Sequence, residues 1–330
     1  MQSGTNNALT DVTGLEVGHY TDLANGTGCT VVLARGGATG GVDVRGSAPG
    51  TRETDVLRAE NSVTTVQAVV LSGGSAYGLS TADGVMRYLE ERGIGHRVRD
   101  IVVPIVPAAI LFDLGMITSA VRPGPDEGYQ AAVQASAGAI EQGSVGAGTG
   151  AVVGKALGRG HGMKGGIGTA SVDLGDGVIV SALVAVNAIG GVVDHATGEA
   201  IAGPRDDQGI IKDSFEVYAD PAYGRRATPT EPLANTTIGV IATSVALTKA
   251  QANRLATVAH DGIALAVRPA HMLHDGDAMF AMATGVVQAP DEFPRVCAVA
   301  PAVVSQAIIN AIKSAESLGG IPSWKEHHGK

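Results

Sequence analysis

The run Thr237 to Ala246 (TIGVIATSVA) is β-branched or apolar but for Ser244, with Gly239 as its one breaker. Such a run reads as a strand buried within a sheet, and it suits stacked layers of sheet and helix. The segment before it, Gly203 to Asn235, is rich in charge, Pro and Gly and holds no period, so an exposed loop is expected there. Thr236 stands at the junction. In one reading it simply opens the strand. In the other the chain is cut before it, and Thr236 then carries a free α-amine beside its own hydroxyl. An α-amine titrates near ~8, far below the ~10.4 of lysine, so it can be neutral and take the hydroxyl proton. One residue would supply nucleophile and base together.

The remaining composition narrows the field. The chain has 330 residues, 47 of them Gly, and only 3% aromatics, which calls for a core of closely approaching backbones. A length of this order fits a single large domain, 1–330, or two intimately packed parts. The net charge of −9 and the absence of a basic run argue against a nucleic-acid partner. Two cysteines, Cys29 and Cys297, imply no disulfide framework and fit a reducing cytoplasm. The N-terminus shows no basic-then-apolar signal pattern, and the apolar stretch Ile101 to Phe112 is interrupted by Pro104 and Pro107, so no membrane partner is expected.

Short strands are expected at Leu15–Tyr20, Thr27–Leu33 and Gly41–Val44, followed by a polar loop, Ser47–Leu57. A strand Val66–Leu71 runs into Ser72-Gly73-Gly74-Ser75-Ala76-Tyr77-Gly78 and then a helix ending at Gly93. A strand–Gly–helix corner offers backbone N–H groups to an oxyanion, or is no more than a tight turn. It is not a G-x-S-x-G nucleophile elbow, which fails at Tyr77. A small-residue helix is expected over Asp126–Gln142, ahead of Gly146-Ala147-Gly148-Thr149-Gly150-Ala151-Val152-Val153-Gly154-Lys155. A P-loop needs Gly at 149 and Ser or Thr at 156, where Thr149 and Ala156 stand. A dinucleotide fingerprint fits only with Ala in its last place, so no cofactor is expected. Lys155 is a surface lysine, or a buried cation near a reacting oxygen.

Gly166–Asp173 and Val178–Val186 flank Gly175-Asp176-Gly177 as a hairpin, and the second strand closes on Asn187. Asn187 is a turn former or an oxyanion donor. Thr248-x-x-Gln251 is a capping box that opens a helix. His271-Met272-Leu273-His274-Asp275-Gly276-Asp277 precedes a strand Met279–Val287. Asp275 and Asp277 read as turn carboxylates; with His271 and His274 they resemble metal ligands, but no third cluster accompanies them and no metal is expected. A last helix is expected over Ala302–Leu318, capped by Gly319-Gly320.

In their order and spacing, GCTVVLARGGATGGVDVRG, PGTRETDVL, LSGGSAYGL, VGAGTGAVVGK, LVAVNAIGGVVD, ANTTIGVIATSV and HDGDAMFAMATG resemble one family across nearly the whole chain. It is the family of self-processing aminopeptidases that includes D-aminopeptidase and the β-peptidyl aminopeptidases, together with the related 6-aminohexanoate-oligomer (nylon-oligomer) hydrolases. The resemblance implies an αββα four-layer sandwich of the N-terminal-nucleophile-hydrolase type. It also implies self-cleavage between Asn235 and Thr236, giving a large piece 1–235 and a small piece 236–330, and assembly of the processed protomers as a homo-oligomer.

Carried over by position, Thr236 matches the nucleophile, Lys155 the family lysine, Asn187 the oxyanion-stabilising asparagine, and Asp275 and Asp277 an acidic pair. The peptidases usually carry Ser after Gly at the cut, whereas this chain has Thr after Asn, which leans toward the nylon-oligomer branch. Phe112 stands where that branch has a Tyr, so no phenol is implied there. The expected substrate is therefore a small-molecule or peptide amide: linear 6-aminohexanoate oligomers, or alternatively peptides that lose an N-terminal D- or β-residue. Two other classes compete, an acyltransferase of the ornithine acetyltransferase type and a non-catalytic binder that keeps the fold.

Overall fold

The structure, a computed structural model, describes residues 2–222 and 235–329. The main strands of its large sheet are β1 (Glu16–Asp22), β2 (Thr27–Val44), β3 (Thr65–Ser72), β4 (Ala108–Ile110), β5 (Gly166–Asp173), β6 (Ile179–Asn187), β7 (Thr236–Val245) and β8 (Ala278–Val287). The main helices are α1 (Thr81–Glu90), α2 (Pro125–Gln134), α3 (Lys249–Ala266) and α4 (Phe293–Ser314). Hydrogen bonding runs in the order β5-β6-β7-β8-β2-β3-β4, with Thr51–Arg52 beyond β4 and β1 laid on β2. β7 pairs antiparallel with β6 and parallel with β8.

The sheet doubles back on itself, and strand periodicity shows how. Ile238, Val240 and Ala242 of β7 and Ala278, Phe280 and Met282 of β8 share one cluster with Val32, Val69 and Leu71 of β2 and β3. The alternate residues of the first half-sheet, Ile241, Met279 and Ala281, pack instead on Leu255, Ala259, Val304 and Ile308 of α3 and α4. Those of the second half, Val31, Leu33, Ala68 and Val70, pack on Val85, Leu89 and Ala131 of α1 and α2. Four layers result, helix–sheet–sheet–helix, as the αββα expectation requires. Small residues permit the spacing: a Cβ on Gly41 of β2 would lie 2.3 Å from the carbonyl carbon of Ala252 in α3.

Several boundaries differ from the sequence reading. The strands expected at Thr27–Leu33 and Gly41–Val44 are one strand, whose register shifts between Leu33 and Ala38 to absorb the intervening glycines. The helix expected over Asp126–Gln142 stops at Gln134, because Ser136 leaves it to pair with Val17 of β1. The last helix begins at Phe293, not Ala302. It runs through Pro301 because Val296, Ala300, Val303 and Val304 on either side are anchored in the core, and it ends at Ser314. Gly319 and Gly320 close a later turn between Leu318 and Ile321. Pro290–Ser314 is long and apolar enough to cross a bilayer by length and composition, yet it forms part of the buried outer layer. Within the expected loop Gly203–Asn235, Gly203 and Pro204 are buried and Ser214–Ala219 is helical, capped by Asp213. Residues 223–234 of that stretch lie outside the described residues.

Candidate active site

Strand register assembles the site. Thr236, the first residue of β7, faces Asn187, the last of β6, while Asn235 forms a parallel bridge with Asp275 just ahead of β8. The Asn235–Thr236 junction thus sits between Asn187 on one side and the Asp275-Gly276-Asp277 turn on the other. Asn235, Thr236, Asn187, Lys155, Asp275 and Asp277 are all buried. The sequence-predicted residues therefore converge, although 70 residues or more separate some of them along the chain.

Two donors meet on the Asn235 carbonyl oxygen: the backbone N–H of Gly276 at 2.8 Å and the hydroxyl of Thr236 at 2.5 Å. Gly276 can come this close because it has no side chain; a Cβ there would lie 3.0 Å from Thr236 Oγ1. Sequence reasoning missed this donor, since a backbone N–H leaves no residue-type signal beyond a Gly between two aspartates.

The two carboxylates have different surroundings. Asp277 Oδ1 accepts the Thr237 N–H at 2.6 Å, and Oδ2 accepts the His271 N–H at 3.2 Å and lies 2.7 Å from His271 Nδ1. Both of its oxygens are engaged. Asp275 Oδ2 accepts the Met272 N–H at 2.7 Å, whereas Oδ1 is buried with no hydrogen-bond partner among the described residues. Burial first, and the Asp277 charge second, push the Asp275 carboxyl up to about 6, against the pull of the Met272 N–H, Lys155 and His271. His271 is thus a carboxylate partner, a role its sequence position did not announce. His274 is exposed, and no group of three or more metal-ligating side chains occurs among the described residues.

On the other side, Lys155 Nζ donates to the Asn187 carbonyl oxygen at 2.8 Å and to Asn187 Oδ1 at 3.1 Å. Lys155 is buried rather than at the surface. Burial, with Arg159 adding to it, lowers it to about 7, while Asp275 pulls the other way. Asn187 Oδ1 also accepts the Val152 N–H at 3.0 Å, and Nδ2 donates to the Phe112 carbonyl at 3.0 Å, which leaves its second proton for another acceptor. The Gly73–Gly74 corner, considered as an oxyanion site, is already filled: the Gly74 N–H donates to Asp113 Oδ1 at 2.7 Å.

A hydroxyl against a peptide carbonyl, a backbone donor on that carbonyl oxygen, and a buried acid, amide and cation around it are suited to opening an amide bond. The αββα fold is that of the N-terminal-nucleophile hydrolases, and the chain is a hydrolase acting on amide or peptide bonds. Residues 7–324 match peptidase family S58, and the chain belongs to that family. It is 43% identical to an uncharacterized aminopeptidase of Mycobacterium leprae, over 96% of this chain and 93% of that protein. It is 32% identical to a 6-aminohexanoate-oligomer endohydrolase of Paenarthrobacter ureafaciens, over 85% of this chain and 76% of that protein. In fold it matches the L-aminopeptidase D-Ala-esterase/amidase of Ochrobactrum anthropi, described as a variant of the Ntn hydrolase fold. That match has a TM-score of 0.73 at 22% identity and covers 99% of this chain and 93% of the other.

Proposed function

We propose that the chain is a self-processing amide hydrolase whose nucleophile is Thr236. The observation that carries this reading is the convergence of the Gly276 N–H and the Thr236 hydroxyl on the Asn235 carbonyl oxygen. In the first reaction Thr236 Oγ1 attacks the Asn235 carbonyl carbon, and its proton passes to Asp275, whose Oδ1 is open. The carbonyl electron pair moves onto the oxygen held by Gly276. Collapse breaks the C–N bond as the nitrogen takes up a proton, leaving Asn235 as an ester on Thr236 and a free Thr236 amine. Water then releases the Asn235 carboxylate.

In the mature form the Thr236 amine serves as base, and Asp275, rather than the fully engaged Asp277, accepts a hydrogen bond from it. Asn187 offers its second Nδ2 proton to the substrate oxyanion, and Lys155 supplies positive charge beside it. Losing one oxyanion donor typically slows such a reaction by about 10²–10³-fold.

For substrate we infer linear 6-aminohexanoate oligomers or similar amides, with the endohydrolase relative as support. An aminopeptidase acting on free-amine peptides is the second reading, favoured by the 43% identical relative that bears that name. Intact mass tests the cleavage. Shared out by residue number, 33.1 kDa divides into pieces of roughly 24 and 9.5 kDa, and Thr236→Ala should stay whole. Wild-type protein that remains full length through days of incubation overturns the reading. An oligomer with its amine acetylated, set beside free-amine peptides, separates the two substrates, because only internal hydrolysis consumes the blocked oligomer.

A further inference from the structure

Among the buried charged side chains that this chemistry does not use are Lys164, completely buried, and Asp113, at 2% exposure. Charged groups enter an interior only where partners hold them. Lys164 Nζ donates to the carbonyls of Thr149 and Ala151, each at 2.8 Å. Asp113 Oδ1 accepts the Gly74 N–H and Oδ2 the Thr27 hydroxyl, each at 2.7 Å. Burial lowers the Lys164 ammonium to about 7 and raises the Asp113 carboxyl, and each opposes that effect on the other. Two Gly-rich motifs make room for the carboxylate: a Cβ on Gly73 would lie 2.0 Å from Asp113 Oδ2, and one on Gly150 would lie 2.5 Å from Asp113 Cβ. Both motifs look like anion cradles in sequence, and both close on an internal carboxylate.

Each charge adjoins a peptide unit that grips Asn187. The Ala151 carbonyl, held by Lys164, and the Val152 N–H, which binds Asn187 Oδ1, belong to one planar peptide. Fixing the oxygen fixes the N–H. On the other side, the Phe112 carbonyl that accepts from Asn187 Nδ2 belongs to the peptide leading into Asp113. We propose that Asp113 and Lys164 are positioning residues for the Asn187 carboxamide, locking the peptides that hold its oxygen and its nitrogen so that one N–H stays presented to the substrate oxygen. This inference rests on Asn187 being the oxyanion donor of the proposed reaction.

Asp113→Asn keeps the shape and the acceptor for Gly74, and Lys164→Met keeps the length of the buried chain. Each should lower kcat by about 10²-fold, the loss typical of a displaced donor, while KM stays within about threefold. The double variant removes both buried charges together and should regain melting temperature without regaining kcat. A purely structural role for the two charges predicts the opposite, activity returning with stability, and that result overturns the proposal. So does either folded single variant with kcat within threefold of wild type.

A second measurement is independent of catalysis. In Thr236→Ala protein labelled with ¹⁵N at asparagine, the Asn187 side-chain signal, assigned by its loss in Asn187→Ala, should be a single slowly exchanging pair. Asp113→Asn or Lys164→Met should broaden or split it; an unchanged signal refutes the positioning role. Wild-type protein that hydrolyses no amide overturns the functional reading, and the ¹⁵N signal then decides this one alone.

Discussion

Asp275 is an ionisable group whose ionisation opposes folding, and Asp275→Asn should expose that opposition. In the folded protein its carboxyl titrates at about 6, against ~3.9 for a free aspartate. A carboxyl with a raised native pKa takes up a proton on folding between those two values. Its contribution is therefore most favourable below about pH 4 and is lost as pH rises through 6. Two units at about 1.4 kcal/mol each set a ceiling of about 3 kcal/mol at neutral pH. About 1–3 kcal/mol is therefore the expected effect. Asparagine keeps the oxygen that accepts the Met272 N–H and removes the charge. The comparison belongs in the Thr236→Ala background, where every molecule is one chain, with urea unfolding followed at pH 4 and pH 7.5. The two proteins should be about equally stable at pH 4, and the Asp275→Asn form should be more stable by about 1–3 kcal/mol at pH 7.5, or roughly 2–5 °C in Tm. With Thr236 restored, the same substitution should slow self-cleavage. A stability difference that does not change between the two pH values refutes the charge argument.

Substitutions at two further residues address the surroundings of the acidic pair. Gly276→Ala places a methyl 2.9 Å from the Ala48 carbonyl and 3.0 Å from Thr236 Oγ1, so the turn must shift and draw its N–H off the Asn235 oxygen. Self-cleavage should slow by about 10–100-fold on a gel time course, and a wild-type rate would show that this donor is idle. His271→Asn keeps an N–H near the position of Nδ1 and should cleave within threefold of wild type. His271→Leu removes a charge-assisted bond to Asp277 and should lose about 1–3 kcal/mol together with cleavage rate. Equal behaviour of the two variants would mean that His271 only fills space beside the His260 ring, whose centroid lies 5.0 Å from its own.

Local signals in the sequence were reliable where the chain itself settles the structure. The β5–β6 hairpin needs positive φ at Gly175, Asp176 and Gly177, and α3 opens with the reciprocal Thr248 and Gln251 bonds that its capping box encodes. The buried run after Asn235 became a central strand. What depends on distant packing was less legible. The helix through Pro301 is sustained by the sheet beneath it, and α2 ends early because β1 captures Ser136. Within the site, Thr236 and the acidic pair lie in short motifs, but the grip of Lys155 on Asn187 exists only once the Gly-rich run folds across the end of β6. The Gly276 donor is backbone, and Asp113 stands alone after an apolar stretch, so neither had a pattern to announce it.

The order of strands across the sheet alternates by origin: β5 and β6 precede residue 236, β7 and β8 follow it, and β2 to β4 precede it again. A molecule cut at that point consists of two polypeptides woven through each other, with the shorter one clasped on both edges. Once such a pair is unfolded, its parts must find each other by diffusion. Refolding becomes second order, and dilution lowers its yield in a way that the uncut chain does not share. Such a cut would change what protects the native state, from a balance a single chain can re-establish to a barrier against leaving it, so that lifetime rather than equilibrium would measure its endurance.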